Sequence, residues 1–259
     1  MKRGKIREEA RKLNPIDDLM FRKLAEDKEF CEEILRVILE DEELVVLETI
    51  PQWSGTNLKG RSVIMDAKCV TGDGRQINVE VQKADDDNHQ KRVRYHGAVL
   101  TTNVMEPGKK FEHVPDVCVV FISRFDVFDG NHPLYHIDRV VRETGKVVDN
   151  GFREVYVNAG VRDESRVSRL MEIFVKDSVY DEHFPKTTEG KKRYKETEGG
   201  LSIMCEIMER IAKEEREEGR KEGIYEKAKE VARKMRKAGK TLEEIGLFTG
   251  LTMEELEKI

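Results

Sequence analysis

Residues 61–83 read RSVIMDAKCVTGDGRQINVEVQK, two alternating strands joined by a glycine-rich loop. In the first strand Val63, Met65, Ala67 and Cys69 alternate with Ile64, Asp66, Lys68 and Val70; in the second Ile77, Val79 and Val81 alternate with Asn78, Glu80 and Gln82. Side chains leave a strand with period two, so each strand has one apolar face. A one-residue slip turns a strand over, and both apolar faces enter one core only if paired residue numbers sum to an even value. A two-residue turn at Asp73-Gly74 gives pairs summing to 147 and puts Asp66 and Glu80 on opposite faces. A three-residue loop over Gly72-Asp73-Gly74 gives 146, opposes Asp66 to Glu80 and Ile64 to Gln82, and is the register selected by the apolar pattern. Both acids are then expected on the side opposite Met65, Val79 and Val81.

Working outward, Asn14-Pro15 opens a helical pattern in which Ile16, Leu19, Met20, Leu24, Phe30, Ile34, Leu35 and Ile38 recur, as one long helix or as two with a break near Asp27. Residues 44–53 read as a strand ended by Pro51 and the turn-rich SGTNLKG. After the hairpin, Val93, His96, Gly97, Leu100 and Val104 share one face of a helix over 88–104, and VCVVFI at 117–122 is an apolar run fit for a strand covered on both faces. The order suits a mixed sheet flanked by helices. Beyond it, 154–158 reads as a strand, 164–183 as helix, and 186–200 as a polar, lysine-rich interval.

Directly opposed residues hold their Cβ atoms ~4.5–5.5 Å apart, so two carboxylates there repel unless a cation neutralises them. Mg²⁺ or Mn²⁺ would do so while keeping waters and admitting a substrate phosphate. On spacing alone the commoner explanation is the wet face of an ordinary hairpin, where acids beside Lys68 and Asn78 are unremarkable.

Asp66, a short hairpin, then Glu80-Val81-Gln82 resembles the signature of the PD-(D/E)XK nuclease superfamily. Four stretches in order, NPIDDLMFRKL, GRSVIMDAK with INVEVQ, RVRYHGAV and VVFISRFDVFDGNHPLYHI, are similar to the PD-(D/E)XK nuclease family transposases, relatives of the recombination-promoting nucleases called Rpn. The likeness covers about 14–200 and continues weakly beyond. It implies a restriction-endonuclease-like α/β fold, with Asp66 and Glu80 as metal ligands and the Val81 carbonyl completing the metal's shell. Gln82 stands where the signature has lysine; an amide cannot act as a base, though it can orient water. Lys83 alternates onto the apolar face, while Lys68 shares the face of Asp66 and is the better candidate for a migrated lysine. The family's Asp-x-x-Phe pattern matches Asp18 before Phe21, although helical phase puts Asp17 nearer the apolar stripe; the assignment taken is Asp18. Arg92, Arg94 and Tyr95 match an arginine-rich helix suited to phosphates.

The expected activity is hydrolysis of DNA phosphodiesters by a metal-bound water, tied to recombination or mobile elements. The rival is a noncatalytic nucleic-acid-binding or interaction protein that kept the fold. A net charge of −5 argues against nonspecific coating of nucleic acid. Basic clusters at 2–12, 91–94, 109–110 and 191–193 can act locally but read first as solvated surface. The four cysteines lack metal-ligand spacing, no apolar run is long enough to span a bilayer, and the expected location is cytoplasmic. We expect a nuclease-like domain over 1–200, a charged connecting helix over 201–225, and three short helices over 226–259. In that tail Thr241 and Thr252 are each followed three residues later by glutamate, the capping-box spacing, with Gly239 and Gly250 as stops. A helix-turn-helix would put the acidic MEELEKI in the groove, so packing or self-association into a homo-oligomer is favoured.

Overall fold

The computed structural model describes residues 3–57 and 60–259. Lys2 of the first basic cluster, and Leu58 and Lys59 of the SGTNLKG turn, lie outside the described residues. The chain forms a six-stranded mixed sheet flanked by helices, as a PD-(D/E)XK-like core requires, and divides into two compact units at 204/205.

In the first unit, α1 (Arg3–Lys12), α2 (Asp18–Leu24) and α3 (Lys28–Ile38) precede β1 (Val46–Gly55), β2 (Val63–Thr71) and β3 (Gln76–Gln82). Helix α4 (His89–Val104) then leads to β4 (Val117–Ser123), followed by β5 (Leu134–Ile137), the small ribbon β6 (Arg139–Val141) and β7 (Lys146–Val148), and β8 (Phe152–Asn158). Helices α5 (Arg166–Val175) and α6 (Pro185–Glu196) complete the unit, and α7 (Glu198–Lys237) starts in it. The large sheet runs β1-β2-β3-β4-β8-β5, with β3, β4 and β8 parallel and the other neighbours antiparallel. Parallel neighbours need a crossover, which α4 provides between β3 and β4.

Of the two readings, the break near Asp27 is the one found: its side chain accepts from the Glu29 amide and caps α3, so the first apolar stripe is two short helices. The β2–β3 ladder has the register selected from the sequence, with Ala67 opposite Val79, Lys68 opposite Asn78 and Cys69 opposite Ile77. Gly74 supplies the left-handed residue (φ 89°) that closes the loop. Cys69 approaches Thr49, which meets Cys31 of α3, so α3 covers this face. On the other face α4 lies over Val119, Phe121 and Tyr156. At Gly97 a Cβ would stand 2.3 Å from the Phe152 ring, so glycine permits the close approach of α4.

Alternation fails at one level of the sheet. Gln52 has φ 53°, and the β1–β2 pairing passes from Pro51–Ala67 to Trp53–Met65 without a Gln52–Asp66 pair. Beyond this kink Val63, Met65 and Trp53 pack with Val99 and Leu100 of α4. Met65 therefore lies on the α4 side, not with Val79 as the strict two-residue period predicted. Pro51 sits inside β1 rather than ending it.

Three further sequence readings are corrected. The helix expected over 164–183 ends at Val175, and the polar interval 186–200 is mostly the helix α6. The first of the three short terminal helices does not exist separately, because α7 runs unbroken through Gly219 and Gly223 to Lys237. Pairs on either side of the glycines support it, Arg210–Glu214 and Lys213–Glu217 before them and Lys227–Glu230 and Lys229–Glu226 after.

The second unit carries α8 (Leu242–Thr249) and α9 (Met253–Glu257), and both threonine capping boxes form. Ile245, Leu251 and Leu256 pack with Ala232 in its small core, while Leu247 and Phe248 are exposed.

Candidate active site

The ladder formed by β2 and β3 stops at Ala67–Val79, one residue short of Asp66 and Glu80. There, side-chain oxygens take over from the backbone. The Asp66 amide donates to Glu80 Oε1 at 3.3 Å, and the Val81 amide donates to Asp66 Oδ2 at 2.9 Å. The two acids are thus neighbours where the strands part, opposite the level at which Gln52 kinks β1. The place they occupy is not wet as expected: Asp66 is 5% and Glu80 1% exposed, with Arg22 of α2 against the first and Arg92 and His96 of α4 against the second.

Each acid has an arginine of its own. Arg22 of α2 donates to Asp66 Oδ1 from Nε at 3.3 Å and pairs with Asp18 Oδ1 at 2.5 Å, four residues back on the same helix. Arg92 of α4 donates to Glu80 Oε2 at 3.2 Å and to Gln82 Oε1 at 3.0 Å. His96 Nδ1 lies 3.2 Å from Glu80 Oε1, with Asn78 Nδ2 3.4 Å from the same nitrogen. Burial, the Glu80 charge beside it and the Asp18 carboxyl together push the Asp66 carboxyl well above its ordinary range, only partly opposed by the Val81 amide.

The structure brings together Asp66, Glu80, the Val81 backbone, Gln82 and, through Arg22, Asp18. Asp17 is used elsewhere: it accepts from the Asn14 amide and pairs with Lys83 at 2.7 Å, which removes both residues from the centre. Lys68 lies over the Trp53 ring, 5.2 Å from its centroid, and makes no ion pair with Asp66 among the described residues. Sequence reasoning missed Arg22 and the contact of His96 with Glu80. The i,i+4 spacing of Asp18 and Arg22 was the available signal for the first; nothing distinguished His96 from an ordinary helix residue on the buried face.

Among the described residues no three acidic, histidine or cysteine side chains form a ready-made metal cage. Mg²⁺ does not ask for one, since it is held by one or two carboxylates plus waters and phosphate oxygens. Two buried, mutually repelling carboxylates with an adjacent third acid are a donor set of hard oxygens that fits such an ion.

The chain matches the family described as PD-(D/E)XK nuclease family transposase over residues 15–238, and it belongs to that family. The match runs beyond the expected end near 200 and takes in α7. Neither the curated proteins nor the solved structures gave a match to the chain. Membership makes it nuclease-related, with DNA as the substrate the family implies and divalent metal ions as the usual cofactor of PD-(D/E)XK nucleases. No described helix is long and apolar enough to cross a membrane.

Proposed function

We propose that the chain is an Mg²⁺- or Mn²⁺-dependent DNA endonuclease acting in recombination or on mobile elements, in the manner of the Rpn nucleases. The observation that carries this reading is the buried Asp66–Glu80 pair at the split of β2 and β3, with the Val81 amide on one acid and an arginine on each. Asp66, Glu80 and the Val81 carbonyl would hold the cation, which when bound polarises the phosphate and stabilises the leaving oxygen. Arg22 and Arg92 keep the two acids aimed; Arg92, half-exposed, is the one able to turn to a phosphate. Gln82 donates to the Ala84 carbonyl and the Asp86 carboxylate while accepting from Arg92, so its amide would hold this arginine and orient water rather than take a proton. Asp18 would steer Arg22.

We assign the nuclease domain to 1–200 and read 201–225 as a charged connecting helix to a terminal segment, 226–259. Exposed Leu247 and Phe248 support self-association by that segment over duplex reading. A cytoplasmic location accords with this activity.

One observation favours the noncatalytic alternative: the arginines already neutralise the acids, and no lysine stands at Gln82. A time course of supercoiled plasmid with Mg²⁺ or Mn²⁺, with and without EDTA, decides between them. Nicking that needs the metal and both acids is the expected result; no cleavage under any divalent ion supports the alternative.

A further inference from the structure

Beside the carboxylates an open groove of about 810 Å³ runs between the start of β2 and the first turns of α4. Four basic side chains line it, Arg61, Lys91, Arg92 and Arg94, against one acid, Asp87. Arg92 belongs to both places, since its guanidinium also reaches Glu80, so the groove opens onto the proposed cleavage centre. Arg61, Lys91 and Arg94 are exposed and make no ion pair among the described residues. Lys91 and Arg94 are three apart on α4 and present their charges along one stripe.

The groove also has an apolar element. Tyr95 is held by its hydroxyl, which donates to the Arg61 carbonyl and receives from Asn57 Nδ2 at 3.0 Å, while its ring packs against the Val63–Val99 cluster. The ring is therefore fixed at the wall, and its hydroxyl fixes the backbone of one of the basic residues. Ile64, 59% exposed, lines the same groove.

A duplex offers phosphates on a convex surface and keeps its bases inside, so it would use the charges and leave Tyr95 and Ile64 idle. A basic groove with a rigid apolar wall is what binds an unpaired strand, phosphates on the cations and bases against the ring. The volume falls within the ~300–1,000 Å³ of sites that take small ligands, enough for a nucleotide or two.

We propose that this groove binds unpaired DNA beside the scissile phosphate, so that the preferred substrate is a single strand or a single-stranded stretch next to a duplex. The proposal deepens the nuclease reading and rests on it for the position of the scissile bond. Arg61, Lys91 and Arg94 hold the strand's phosphates, and Tyr95 positions both the strand and Arg61.

The test is fluorescence anisotropy with the full chain in EDTA, using a labelled 12-nucleotide DNA strand and a blunt duplex of that length across a salt series. Tighter binding of the strand by about tenfold or more is expected. The Arg61→Ala/Lys91→Ala/Arg94→Ala variant should reduce the slope of log affinity against log salt by roughly 2, from about 0.7 per phosphate contact on single strands. Arg94→Ala alone, at an exposed helix position, should lower it by roughly 0.7 and serves if the triple variant folds poorly. Equal affinity for strand and duplex, or an unchanged salt slope, would overturn the proposal. Cleavage is scored separately: strand binding without any cleavage leaves the groove standing and removes the nuclease, whereas cleavage with no preference for the strand does the reverse.

Discussion

At the split of β2 and β3, Asp66 and Glu80 are buried side by side, like charge against like; on α6, Lys191 and Lys195 are buried with every ammonium proton given to an oxygen. Lys191 is wholly buried, and its ammonium donates to the carbonyls of Ile173, Lys176 and Val179 at the end of α5. Lys195 donates to the Leu13 carbonyl, Asn14 Oδ1 and Asp177 Oδ1. Each ammonium has three protons and three acceptors, so these lysines work as clasps that close helix and loop ends. The acids instead face each other and a third carboxyl, with an elevated Asp66 as the result. Buried charge matched to oxygens holds a fold together; buried charge set against like charge strains it, and such strain is tolerated where chemistry needs it.

The sharpest way to break this comparison is to remove each kind of charge. Asp66→Ala or Glu80→Ala should abolish metal-dependent plasmid nicking, a loss of at least ~10³-fold if the acids hold the cation, while thermal unfolding in EDTA stays near or above wild type. Nicking equal to wild type in either variant would remove the acids from catalysis. Lys191→Met should do the opposite. Three carbonyls lose their donor, so stability falls by roughly 2–4 kcal/mol, while cleavage per folded molecule is unchanged. Urea unfolding followed by circular dichroism measures the first, and active fraction the second.

Arg92→Ala lies between these extremes, because Arg92 supports Glu80 without being a ligand. Cleavage should fall by roughly 10–100-fold, the usual range for residues that orient a metal ligand, and unfolding should barely shift.

Asp66 should also make stability depend on pH. A carboxyl raised above its unfolded value keeps its proton in the fold where the unfolded chain has lost it. Its contribution is therefore complete below about pH 4 and is lost as pH rises through the folded value. Metal-free protein should lose stability over that rise, Asp66→Asn should flatten the profile, and saturating Mg²⁺ should offset the loss. Differential scanning calorimetry across pH, with and without the ion, checks all three. The smallest effect belongs to Gln82: Gln82→Ala should leave cleavage measurable, and Gln82→Lys should keep or raise it.

The hairpin register was legible because period-two alternation and a Gly-Asp-Gly loop admit only one pairing that buries both apolar faces. The capping boxes and the buried strand β4 were legible for similar local reasons. The kink was not, since nothing in a glutamine at position 52 announces a left-handed backbone. Nor was α6, whose buried face is made of Thr187, Thr188, Lys191, Tyr194 and Lys195; polar atoms satisfied across the chain leave no apolar period to read. Arginine partners escaped for the same reason, because Arg22 and Arg92 find their acids only after distant elements have come together.

The Val81 amide, which points at an Asp66 carboxylate oxygen 2.9 Å away instead of at a backbone carbonyl, gives the protein a native spectroscopic probe. Its proton resonance should lie downfield and exchange slowly, and it should move when Asp66 gains a proton or shares its charge with a cation. A single backbone signal would then follow the loading of the site in solution, without any substrate and before any bond is cut.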